Sequence, residues 1–325
     1  MRKKNLLAII TLFILIACEK NEKEEIITSI NDYVTSIAID ENNTRWVGTE
    51  KGLYKSTDNG YMHQNISISG KVLSLTYDES SNTLWVGTEA GLSEVSLTSG
   101  NASGTVVPTE NLSNSSILIS YKDTTSRLWF GTGKGISLNK DGIWKNDSFR
   151  VNVLGTMFPM NAENLAVNSI AAWDNDYYFA TSGGHLYRAF GLVDSIDAFS
   201  GASQWLSPYN GQNVTDTMFM VFVDSKGNQW MGGKNGIQVH TGHKPKEESS
   251  FTYYNNELAD NRIHAIAEAP DGKIWVGTEK GLSVFNGSSW STVTENLPDM
   301  YVTSIAFDQD GSAWVGTRKG LTNIR

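Results

Sequence analysis

Trp46-Val47-Gly48-Thr49-Glu50-Lys51-Gly52-Leu53 is a phrase that this chain keeps returning to. Trp85 to Leu92, Trp275 to Leu282 and Trp314 to Leu321 preserve its Trp-Val-Gly-Thr-x-x-Gly-Leu form. Looser copies begin at Trp129 (WFGTGKGI), Trp230 (WMGGKNGI) and Tyr178 (YFATSGGHL, one residue longer). The anchors are separated by 39, 44, 49, 52, 45 and 39 residues. Self-similarity at that period is the mark of a repeat architecture, so each copy is part of a structural unit before it is a candidate site.

Working outward from the phrase, each unit opens with an apolar, β-branched run that ends in an acid, such as Val34 to Asp40 or Val302 to Asp308. A polar turn follows (Asn42-Asn43, Lys226-Gly227-Asn228, Asp271-Gly272, Asp310-Gly311), of the kind that suits a tight hairpin. Then come the Trp-Val-Gly-Thr strand, a two-residue loop, a third strand opening on Gly-Leu, and often a fourth with an aromatic, as at Trp290. Four short antiparallel strands repeated radially describe a blade of a β-propeller, and no segment holds a helical period. The expectation is an all-β, seven-bladed β-propeller of four-stranded antiparallel blades over residues 26–325. The last copy stops after its third strand, while residues 25–30 (EIITSI) have no blade of their own. The N-terminal strand is therefore expected to complete the last blade and close the ring, which removes exposed edges.

The stretch TSIAFDQDGSAWVGTRKGL, residues 303–321, resembles the two-component regulator propeller repeats, and the resemblance extends over roughly residues 26–325. Propellers of that family usually form the periplasmic sensor part of membrane histidine kinases. The resemblance implies the fold and a binding role. No kinase, transmembrane helix or C-terminal Ig-like domain is present in this sequence, so signalling is not implied.

The N-terminus carries a different message. Arg2, Lys3 and Lys4 precede a short apolar run, Leu6 to Ile16, too short to span a bilayer and suited to a signal-peptide core. It ends in Leu15-Ile16-Ala17-Cys18, which resembles a bacterial lipobox, and Cys18 is the only cysteine among 325 residues. That resemblance implies a signal peptide over residues 1–17 and lipid attachment at Cys18. Residues 18–25 then form an acidic tether, which also resembles the export tag of some Bacteroidota surface lipoproteins. The expected location is the cell envelope, as an outer-membrane lipoprotein. Without a second thiol the domain must hold itself together by packing. Removing Arg2, Lys3 and Lys4 leaves 23 basic against 35 acidic residues, a surface that repels phosphate backbones and excludes nucleic acid as a partner.

Most apparent chemical motifs dissolve into the repeat. The Trp and Gly-Thr positions read as inter-blade packing. Gly131-Thr132-Gly133-Lys134-Gly135 lacks the helix and the Lys-Ser/Thr pair of a phosphate loop. Asp308-Gln309-Asp310-Gly311 lacks the bidentate Glu of a calcium loop. His240 and His243 have no further ligands nearby in sequence, so no metal and no cofactor are expected. The informative positions are the loops that share one face around the axis. From these we select Tyr33, Glu50, Lys51, Lys134, Asp260, Glu279, Lys280, Asp299, Tyr301 and Arg318, with His185 in the irregular copy. Phe158 joins them from the extra residues 150–166, which are expected to overhang the axial mouth.

Mixed charge with tyrosine around a mouth fits a polar ligand such as a glycan or a peptide. The expectation is a lipid-anchored, monomeric binding or scaffold protein with a membrane tether and a glycan, peptide or surface-protein partner. One alternative is a lyase or hydrolase. Streptogramin-type lyases are also propellers with a repeated Gly-x-x-Trp, and they use a histidine near the channel. Here His264 or His185 beside Glu279 would act as general acid or base. The other alternative is a structural subunit of an outer-membrane surface complex, which predicts a large apolar patch.

Overall fold

The computed structural model describes residues 26–27, 29–57, 60–64, 68, 70–97, 103–147, 150–153, 156–159, 166–174, 176–182, 186–189, 203–206, 218–241 and 250–324. The signal segment, the whole tether with Cys18, and His185 lie outside the described residues. Among the described residues no helix is long and apolar enough to cross a membrane.

The predicted units form antiparallel sheets whose strands follow one another in chain order. Their first strands are Val34–Ile39, Val72–Asp78, Ile117–Lys122, Val167–Trp173, Met218–Val223, Ile263–Glu268 and Val302–Phe307. Each of these packs against the next, and the last returns to the first, so they make a closed inner ring. The architecture is an all-β propeller. The expected count of seven four-stranded blades is corrected to six. Five sheets have four strands and the first has five, whereas the sheet from Val302 to Ile324 has only three.

The reason lies in the strand expected to finish that last sheet. Ile26–Ile27 pairs instead with the outer strand of the first blade, Ile26 opposite Met62 and Ile27 opposite Tyr61. Among the described residues of this stretch, Ile30 alone hydrogen-bonds the last sheet through its backbone, its carbonyl accepting from Leu321 N at 3.2 Å. Closure is achieved by other means. Thr303 Oγ1 donates to Val34 O at 2.6 Å, and Gln309 Nε2 donates to Glu41 O at 2.9 Å. The Arg45 guanidinium sits 4.7 Å over the Trp314 ring.

The repeated phrase is explained residue by residue. Trp46, Trp129, Trp230 and Trp314 each donate their indole N–H at 2.9 Å to the acid six residues earlier: Asp40, Asp123, Asp224 and Asp308. The other oxygen of each carboxylate caps backbone N–H groups of the intervening turn, as Asp40 Oδ1 does for Asn42 and Thr44. One acid thus ties the turn to the strand that leaves it. The following valines, Val47, Val86, Val276 and Val315, are fully buried between sheets, each contributing about 1.5–3 kcal/mol relative to exposure.

The first glycine of the phrase sits where the next sheet comes closest. A Cβ on Gly277 would lie 2.6 Å from Val302 Cγ1, and one on Gly316 would lie 2.5 Å from Val34 Cγ1. The threonine closes the two-residue loop: Thr278 Oγ1 donates to Gly281 O and accepts from Lys280 N. In most described copies the second glycine adopts a backbone that side-chain residues rarely reach, with φ of 131° at Gly52 and 144° at Gly320; Gly91 is the exception.

The extra residues 150–166 form a hairpin, Arg150–Val153 with Thr156–Pro159, where they are described. Its first strand packs against Ser203–Leu206, the outermost strand of the fourth blade. That contact is at the blade periphery, not at the axis. Phe158 belongs to the second strand, and its side chain lies outside what is described.

Candidate functional site

Every inner strand carries the same irregularity near its start. Pairing with the second strand slips by one residue at Thr35, Leu73, Leu118, Asn168, Phe219, His264 and Thr303. A bulge of this kind bends the strand and re-aims the extra side chain. The bulges cluster at the end of the ring where the fourth-to-first and second-to-third loops meet. There Glu50 N donates to Tyr33 O and Arg318 N donates to Tyr301 O, both at 3.2 Å, so both loop sets share one face. In two sheets the bulge residue is a threonine that bonds the neighbouring inner strand: Thr35 Oγ1 to Val72 O and Thr303 Oγ1 to Val34 O. In the fifth and sixth blades it is Phe219 and His264.

These substitutions produce a row of stacked rings. Phe219 and His264 lie 6.4 Å apart at 19°, and His264 and Tyr301 lie 4.4 Å apart at 28°. The Arg318 guanidinium continues the row, its Cζ 3.4 Å from the Tyr301 ring centroid. Tyr301 Oη approaches His264 Nδ1 at 3.4 Å, and His264 Nε2 stands 3.6 Å from Glu279 Oε1. The second distance is too long for a proper hydrogen bond, and Nε2 has no other partner among the described residues. The same Glu279 oxygen is 3.3 Å from Arg262 Nη1.

Burial lowers the pKa of His264 despite the opposing pull of Glu279, so the ring is neutral at neutral pH. Burial, then the neighbouring Tyr33, raises that of Tyr301.

Around this row runs a rim of ion pairs built from the repeat itself. Lys51 meets Asp32 at 3.5 Å, Lys280 meets Asp260 at 2.8 Å, and Lys319 meets Asp299 at 3.1 Å. In each, the lysine comes from the two-residue loop and the aspartate from the loop before the inner strand. All three lysine side chains are at least 70% exposed, so solvent screens each pair and it adds little to stability. The contrast with Arg318 matters. It is exposed on the same rim, yet no carboxylate pairs with it among the described residues.

The structure thus gathers Tyr33, His264, Glu279, Tyr301 and Arg318 from the sequence selection, with Asp260, Lys280 and Asp299 at the rim. Lys51 sits on the rim of the first blade beside exposed Glu50, and Lys134 is exposed in the third blade, outside the row. Sequence reasoning passed over Phe219 and Arg262. Phe219, second in Met218–Val223, aligns with Thr35 and Thr303, and Arg262, just before Ile263–Glu268, aligns with Tyr33 and Tyr301; that alignment was the available signal.

Comparison with known proteins supports the fold and part of the repeat assignment. A family model described as the two component regulator propeller matches residues 257–280 and 296–319. A search of curated protein sequences gave no match. Among solved structures, a streptogramin B lyase is 16% identical with a TM-score of 0.70, covering 93% of this chain and 97% of that one. The virginiamycin B lyase from Staphylococcus aureus is 14% identical with a TM-score of 0.68, covering 93% and 99%. The WD40 β-propeller domain of Doa1 is 15% identical with a TM-score of 0.65, covering 92% of this chain and 95% of that one. At these identities the likeness is one of fold.

Proposed function

We propose that this chain is a lipid-anchored, extracytoplasmic binding propeller that holds a glycan or peptide on the loop face, over Tyr301 and Arg318. The observation that carries this reading is the Arg318 guanidinium, its Cζ 3.4 Å over the Tyr301 ring, with no carboxylate partner among the described residues. Contact with the ring and hydrogen bonding to Tyr33 and Tyr301 hold the guanidinium in place, and its five N–H donors leave capacity for an anionic or strongly polar group. The flanking lysines are already paired, so the ligand is selected at one position and not by a general positive field. Tethering through Cys18 would keep this face free, because the anchor precedes the ring by a short acidic segment.

Arg318→Ala is expected to weaken binding at least about tenfold to any ligand found by screening glycans and peptides, with the melting temperature unchanged. Retained affinity in both Arg318→Ala and Tyr301→Ala would end the proposal for this face. Anchoring has its own test: palmitate labelling of the expressed chain should vanish in Cys18→Ser, and an unlabelled wild type would contradict it.

A lyase or hydrolase reading rests on His264 facing Glu279. The 3.6 Å separation, and the sharing of that carboxylate with Arg262, favour a positioning role in the stack over acid–base chemistry.

A further inference from the structure

Trp85 is the one clean copy of the motif tryptophan in which a changed turn leaves the indole N–H buried and unpartnered. In four sheets the accepting aspartate stands six residues before the tryptophan. The second blade has one more residue in that turn, Asp78-Glu79-Ser80-Ser81-Asn82-Thr83-Leu84-Trp85, so its acid is out of step. Asp78 is also engaged elsewhere. Lys122 Nζ reaches it at 2.6 Å from the third blade, and the hydroxyls of Ser80 and Ser81 donate to it at 2.6 and 2.8 Å. Trp85 is only 6% exposed, and its Nε1 has no partner among the described residues. An unpaired buried donor costs on the order of 1–3 kcal/mol, so a ligand acceptor there gains what the fold forgoes.

The indole borders a cavity of about 330 Å³ between the second and third blades. The cavity opens among the turns at Ser80, Ser126 and Asp141, at the opposite end of the strands from the loop face. Its volume is at the small end of ligand sites and suits a single ring. Trp144 lines it too, edge-on to Trp85 at 6.2 Å and held by stacking on Phe130 at 5.6 Å. Exposed Val106 adds apolar wall.

The polar lining selects the chemistry. Asp78, Glu94 and Asp141 contribute carboxylates, and among the described residues no lysine or arginine lines the cavity, which disfavours anions. The indole donor requires an acceptor, which a bare cation lacks. A hydroxyl accepts from the indole and donates to a carboxylate or to Asn139, and the C–H faces of a ring match the aromatic and aliphatic wall. We propose that this cavity binds one neutral polyhydroxylated ring, a sugar or cyclitol unit, with a hydroxyl oxygen accepting the Trp85 indole hydrogen. The site is separate from the loop face and stands whether or not that face binds.

The test follows the indole N–H resonances of the purified protein by NMR during titration with glucose, with myo-inositol and with glucuronate. The expected result is a saturable shift of the Trp85 signal with glucose or myo-inositol, and binding at least about tenfold weaker for glucuronate. Trp85→Phe keeps the ring and loses the donor, so it should weaken binding about tenfold, read from the remaining indoles, with the melt unchanged. Removing Ser81 restores the six-residue spacing and should abolish binding. The proposal is overturned if Trp85 does not shift up to about 50 mM of either neutral ligand, where even millimolar affinity saturates, which would mean a hydrated cavity only. Equal affinity for glucuronate, or undiminished affinity in Trp85→Phe, overturns it as well.

Discussion

Asp123→Ala should destabilise the protein by about 4 kcal/mol, a fall on the order of 10 °C in Tm. The carboxylate is the centre of a buried group that joins the third blade to the fourth. Its Oδ2 accepts from Arg127 Nε at 2.8 Å, from Tyr177 Oη at 2.7 Å and from Trp129 Nε1 at 2.9 Å. Arg127 is 1% exposed, and its Nη2 donates in turn to Tyr177 Oη at 2.6 Å. Removing the carboxylate leaves a buried guanidinium without its counter-charge, and its Nη1 already lacks a partner. Two further donors lose their acceptor at the same time. Asp308→Ala is the matched comparison, since Asp308 holds Trp314 in the same way but has no buried arginine beside it. It should cost about 1–3 kcal/mol. If thermal or denaturant unfolding ranks Asp123→Ala no worse than Asp308→Ala, the buried charge is not what makes this site matter.

The same group sets a pH dependence. Burial alone would raise the Asp123 pKa, but hydrogen bonds from Trp129, Tyr177 and the Arg127 backbone outweigh it and hold the value at about 2, against an ordinary 3.8. A carboxyl with a depressed folded pKa releases its proton more readily in the folded state than in the unfolded one. Its stabilisation, about 2 kcal/mol, is therefore complete above about pH 4 and is lost as pH falls towards 2. Unfolding followed between pH 5 and pH 2 should show that loss in the wild type and a flatter profile in Asp123→Asn.

The frame of this protein was legible because it is local. The acid, turn, tryptophan, glycine and threonine of one unit lie within some twelve residues, and their bonds are made largely within the sheet or to the next one. Closure was not legible for the opposite reason. Ile26–Ile27 has two open edges within reach, the third strand of the last sheet and the fourth strand of the first. Both offer the same backbone groups, and a two-residue apolar strand carries nothing that distinguishes them. The loop-face residues were readable as types and positions, but not as a stack. Phe219 and His264 reach the mouth through a bulge, which depends on pairing register, so aligning the units gives their position but not their stacking. Trp85 is a different case. Its seven-residue spacing from Asp78 stands in the sequence, and it acquires meaning once the Trp–Asp bond is known to exist in the other copies.

Gly131→Ala carries the second large effect, because it tests whether the first glycine of the phrase sets the spacing between blades. A methyl group there would meet the backbone carbonyl of Val167 at 2.7 Å and Val167 Cγ1 at 2.9 Å. Val167 begins the inner strand of the fourth blade and is fully buried, so the obstacle is a strand locked in its own ladder and not a side chain that can swing aside. Relief requires the two blades to separate, and in a closed ring that displacement is resisted by every other interface. The expected cost is about 3 kcal/mol, at the upper end of overpacking effects. Gly91→Ala supplies the control from the same phrase. Nothing lies within 4 Å of a Cβ built there, and its φ is outside the positive range. That substitution should fall within about 0.5 kcal/mol of wild type, or stabilise slightly by restricting the unfolded chain. Similar melting temperatures for the two variants would mean that the ring yields at its interfaces, and that the repeated glycine reflects backbone preference and not close packing between sheets.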